Sequence, residues 1–124
     1  MTSWLIRSVL VLMITATGAT TLAFAQTPER VFDLKIEKGK VAQKMRLIRV
    51  RQGDAVKLRW TTDRPIMLHL HGYDIEKRVA PGPATEMTFT AYATGRFPIH
   101  VHMQGAGGRA HEEAPLVNVE VYPR

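Results

Sequence analysis

Val56-Lys57-Leu58-Arg59-Trp60-Thr61 alternates strictly between apolar and polar residues. Successive side chains of an extended chain leave opposite faces, so Val56, Leu58 and Trp60 share one face and Lys57, Arg59 and Thr61 the other. That is the signature of a strand buried on one side. Turn-forming residues bound it, Gln52-Gly53-Asp54 before and Asp63-Arg64-Pro65 after. The same period extends outward. Upstream, Phe32, Leu34 and Ile36 share one parity against Asp33, Lys35 and Glu37, and Lys38-Gly39-Lys40 ends that run. Between the two, Val41 to Arg51 contains Met45, Leu47, Ile48 and Val50, where the adjacent Leu47 and Ile48 break the alternation and leave a bulge or two-sided burial as alternatives.

Downstream, Ile66, Leu68 and Leu70 share a parity in the run Ile66 to Gly72, and Met87, Phe89 and Ala91 do so in Thr85 to Tyr92. Pro81-Gly82-Pro83 between them is excluded from a central strand, because proline fixes φ and removes a donor. Gly95 opens a run from Phe97 to Met103, and Gly105-Ala106-Gly107-Gly108 leads to the last, Leu116 to Tyr122. Seven such pieces with no ten-residue helical stripe predict an all-β fold, an antiparallel two-sheet sandwich, with a small barrel as its rival. There is no internal repeat and no linker.

The start of the chain reads differently. Arg7, the mostly apolar stretch Val9 to Ala16 and Ala23-Phe24-Ala25 before Gln26 fit an export signal with its cleavage site, so residues 1–25 are expected to be a signal peptide and 26–124 the mature domain. Thr15, Thr17, Gly18, Thr20 and Thr21 interrupt the apolar run, which falls short of the roughly 20 residues of a spanning helix, so no stable membrane anchor is expected. The expected location is the bacterial periplasm. About 100 mature residues suffice for one hydrophobic core. The secretory route permits disulfides, yet the chain has no cysteine, so packing and strand pairing, or partly a metal, must stabilise it. The net charge is +6, and only Arg7 of the basic residues leaves with the leader. The basic residues form no block with interleaved aromatics, and export removes nucleic acid, so nucleic acid is not expected as a partner.

All five histidines lie between residues 69 and 111, four of them as His69-Leu70-His71 and His100-Val101-His102. On a strand both imidazoles of an H-x-H pair leave the same face, while Leu70 and Val101 point the other way, toward the core. If the two strands are neighbours, side chains roughly 5 Å apart can share one ion. Neutral imidazole ligates copper, zinc, nickel and iron, and the affinity series peaks at Cu(II), which puts copper ahead of zinc. His111 follows the glycine loop beside Glu112 and Glu113 and is a candidate fifth ligand. Met67 shares the parity of His69, and Met103 has the opposite parity to His102; either is core filler or a thioether ligand favouring Cu(I).

The stretches Leu68 to Asp74, Val79-Ala80-Pro81-Gly82, Phe89 and Gly95-Arg96-Phe97 resemble bacterial cupredoxin-like domains over most of the mature chain. The resemblance implies a Greek-key β-sandwich that binds copper near one end. His69-Leu70-His71-Gly72 is similar to the H-W-H-G element of multicopper oxidases, and Gly95 to His102 to their G-T-x-x-Y-H-S-H element. In those enzymes these histidines contribute to a trinuclear copper cluster between domains, which implies metal ligation by His69, His71, His100 and His102. Blue-copper cupredoxins place a thiolate where Val101 stands here, so an ordinary blue-copper electron carrier is not implied. The cysteine that multicopper oxidases draw from another domain is also lacking, and a homo-oligomer could supply histidines but not that thiol.

The expected function is therefore copper storage or delivery, with an envelope protein that donates or accepts copper as the partner. Asp74 and Glu112 are candidate acceptors that orient the imidazoles. An open-sited copper or zinc enzyme and a metal-free envelope interaction domain are the alternatives.

Overall fold

The computed structural model describes residues 21–24, 27–102 and 114–124. Most of the expected signal peptide, the glycine loop, Met103, His111, Glu112 and Glu113 lie outside the described residues. The alternation around Trp60 is realised as strand β4 (Ala55–Thr62), in which Val56, Leu58 and Trp60 are buried. Before it come β1 (Glu29–Glu37), β2 (Lys40–Val41) and β3 (Leu47–Arg51); after it come β5 (Ile66–Leu70), β6 (Ile75–Val79), β7 (Thr85–Thr90), β8 (Gly95–His102) and β9 (Val117–Tyr122).

These strands form a four-stranded sheet in the order β2-β1-β4-β7 and a five-stranded sheet in the order β3-β9-β8-β5-β6. The result is a Greek-key β-sandwich rather than a barrel. Between the sheets Leu34, Ile36, Leu58 and Trp60 meet Leu68, Leu70, Ile99 and Val119, all essentially without solvent exposure.

Three expectations are corrected. The sheets are not wholly antiparallel: β1 runs parallel to β4, with Leu34 opposite Trp60, and β3 parallel to β9, with Val50 opposite Val121. The chain crosses to the other sheet between the members of each pair and returns in the same direction. Alternation within a strand is identical for either orientation, so this could not be read from parity. Next, Leu47 and Ile48 mark neither a bulge nor two-sided burial. A 3-10 turn at Gln43–Met45 precedes β3, which begins at Leu47 with that side chain outward and Ile48 inward. Finally, β6 is an additional strand. Among the described residues it pairs only with β5, and its exposed Glu76, Lys77 and Arg78 charge the edge against pairing with other chains.

Candidate metal centre

Strands β5 and β8 are antiparallel neighbours in the register Met67 to His102, Leu68 to Val101, His69 to His100 and Leu70 to Ile99. The period of two then divides the pair cleanly. Leu68, Leu70 and Ile99 are fully buried between the sheets and Val101 packs against the same core. The four imidazoles leave by the opposite, outer face of the five-stranded sheet.

There they converge, though not equally. One ligand atom from each of His69, His71 and His102 lies within 4.8 Å of the others. Two nitrogens bound at about 2.0 Å to one tetrahedral ion are roughly 3.3 Å apart, a difference that small rotations about χ1 and χ2 cover. Ring centroids are 4.1 Å apart for His69 and His71 and 5.4 Å for His69 and His102. His100 lies opposite His69 in the register but turns its ring edge-on to His71, with centroids 4.9 Å apart, and stands outside the trio. His69 and His71 are half-buried and His102 is exposed. The donor set of three imidazoles fits a borderline transition metal such as copper or zinc.

Burial pushes the His71 imidazole below its ordinary value, and the neighbouring His69, His100 and His102 add to that shift, while Asp74 opposes it. The crowding therefore favours neutral His71, the form that ligates a metal.

The local fold fixes His71 in place. Its amide donates to the Pro98 carbonyl at 3.0 Å, extending the β5–β8 ladder by a residue. Gly72 then turns the chain at φ 86°, a conformation that favours glycine. Phe97 lies so close that a β-carbon on Gly72 would clash with its ring. Below the turn Tyr73 packs edge-on to Phe97 at 4.8 Å and tilted against Phe89 at 4.9 Å, and its hydroxyl donates to the Ala93 carbonyl at 3.0 Å. An aromatic cluster on the inner side thus anchors the turn that carries the outer-face histidine.

Sequence reasoning missed two neighbours of the cluster, Glu76 opposite His69 and Arg78 opposite Met67, both on β6. Their signal was hidden because β6 itself was not recognised. Asp74 is exposed and acts on His71 as a nearby charge.

No protein-family model and no curated protein matches the chain. Solved structures do. A multicopper oxidase from Pseudomonas thermotolerans superposes with a TM-score of 0.58 at 21% identity over 79% of this chain, which spans only 30% of that protein. A copper binding protein solved by NMR in its apo form gives a TM-score of 0.57 at 10% identity, covering 75% of this chain and 87% of the other. The periplasmic domain of cytochrome oxidase subunit II from Bradyrhizobium japonicum gives 0.57 at 15% identity, covering 78% and 88%.

At such identities the likeness defines the fold, and that fold is cupredoxin-like. Within it, this chain is a cysteine-free form with a histidine cluster on the outer face of one sheet, capable of coordinating a metal ion.

Proposed function

We propose that this chain is a periplasmic copper-binding protein that stores copper or delivers it to an envelope partner. The observation that carries the reading is the convergence of His69, His71 and His102 from the paired strands β5 and β8 and the turn that follows β5. Imidazole nitrogens bind Cu(II) more tightly than the other divalent first-row ions, which favours copper over zinc. The absence of cysteine removes the thiolate of a tuned electron-transfer centre. Placement on the outer face of a sheet, with His102 exposed, suits a cargo that must be released to another protein. The likeness to copper proteins of the same fold adds support, as does the apparent leader for the periplasmic location.

In this reading His69, His71 and His102 hold the ion, His100 steadies His71 through its ring edge, and His111, outside the described residues, is a candidate additional ligand. A copper titration of the protein, repeated on His69→Ala and His102→Ala, tests it. Stoichiometric binding that is lost in both variants is expected. Unchanged affinity in both would overturn the site, and no stoichiometric metal in the parent protein would instead favour a metal-free interaction domain.

A further inference from the structure

Met67 is not part of the buried core. Its neighbours Ile66 and Leu68 are buried at 6% and 0% exposure, whereas Met67 is half-buried on the outer face, so it does not fill the core in the usual manner of methionine. Along β5 it is two residues from His69 and on the same face. Across the sheet it lies directly opposite His102. Directly opposed residues have β-carbons about 4.5–5.5 Å apart, and the flexible thioether chain reaches beyond that. Met67 thus stands at the corner between His69 and His102, the two rings of the trio that are 5.4 Å apart.

We infer that Met67 is a further metal ligand, completing a three-imidazole, one-thioether set selective for Cu(I); this rests on the reading of His69, His71 and His102 as the ligating trio. A thioether is a soft donor that favours Cu(I), while Zn(II) and Cu(II) gain little from it. All four donors are neutral when they ligate. The flanking charges, Arg78 opposite Met67 and Glu76 opposite His69, are of opposite sign, so the donor types decide the preference. A neutral set with a soft member matches a singly charged soft ion.

The test compares the protein with Met67→Leu, which keeps the volume and removes the sulfur. Cu(I) affinity is measured under anaerobic conditions by competition with a chromophoric Cu(I) chelator, and Cu(II) affinity by competition with a Cu(II) chelator. Outer-face leucine leaves the core untouched, and circular dichroism checks that the variant folds. The expected result is a Cu(I) affinity lower by about tenfold or more, a 1.4 kcal/mol change, with Cu(II) affinity unchanged. X-ray absorption of the Cu(I) form should show a copper–sulfur scattering path in the parent protein and none in Met67→Leu. Cu(I) affinity unchanged in the variant, or a sulfur path that survives in it, would overturn the role of Met67 while leaving the histidine site standing. Failure of His69→Ala to weaken Cu(I) would instead bring down the underlying reading.

Discussion

Replacing Gly72 with alanine should be among the more damaging substitutions in the chain, although it adds only a methyl group. Two costs combine. The φ of 86° places an L-residue in a left-handed region, at about 1–2 kcal/mol. The new β-carbon would also clash with Phe97 Cδ1 and approach Cε1 to 2.8 Å. Those atoms belong to a rigid ring wedged against Tyr73, so relief requires movement of the aromatic cluster, and overpacking of this kind costs about 1–3 kcal/mol. The sum is roughly 2–5 kcal/mol, which for a domain of about 100 residues lowers Tm by at least about 8 °C. Thermal unfolding of the metal-free protein, followed by circular dichroism, measures this without interference from ligand binding. The pair Gly72→Ala and Phe97→Ala should be less destabilised together than the sum of the single effects, because removing the ring removes the clash. Purely additive effects, or a Tm for Gly72→Ala within about 2 °C of the parent, would refute the claim that Phe97 packs where a β-carbon must go.

On the proposed reading His100→Ala should weaken copper binding less than His71→Ala in the same titration, since His100 packs against His71 and stands outside the trio of converging rings; equal losses would return His100 to the ligand set. Because the folded state depresses the His71 pKa, acid is taken up first by the unfolded chain as pH falls below about 6.5. The metal-free protein should therefore lose stability as pH drops through that value, and His71→Gln should flatten the slope in a Tm series from pH 7.5 to 5. Glu120 carries a separate acid limb. The Tyr122 hydroxyl, then Arg96 and Arg49, hold its carboxyl at about 2 against an ordinary 4.5, so its stabilisation is full above that ordinary value and lost as pH falls toward about 2. Glu120→Gln should remove this part of the acid-unfolding curve. Trp60→Phe should cost less than the roughly 3–5 kcal/mol of a large aromatic deletion, because the buried Trp60 Nε1 has no hydrogen-bond partner among the described residues and phenylalanine removes that orphaned donor.

Alternation made the inner faces of most strands legible. Phe32, Leu34 and Ile36, then Val56, Leu58 and Trp60, then Ile66, Leu68 and Leu70 all face inward or pack against the core as parity required. What parity does not encode is direction, so the parallel pairings of β1 with β4 and of β3 with β9 leave no trace in it. Nor does it reveal an edge strand such as Ile75–Val79, whose three central residues are all charged and exposed, with no second strand beside them among the described residues. In the site, the sequence placed four imidazoles on one side of two strands. It could not rank them, because the choice between His100 and the trio of His69, His71 and His102 depends on rotamers that turn one ring aside.

The site and the core are built from alternate residues of the same two strands, and that separation shapes what evolution or an experimenter can change. Leu68, Leu70 and Ile99 keep the sheets together whatever stands at positions 69, 71 and 100. Substitution at the outer positions removes no core volume, so loss of metal binding there can be read without the loss of folding that usually confounds such variants. The coupling that remains runs through the turn after β5. The amide of His71 is held by Pro98, while Gly72 and Tyr73 are held from below by Phe97. Perturbation of that inner aromatic cluster should displace His71 before it displaces His69, which lies within paired strand, or His102, which ends β8 well beyond Phe97.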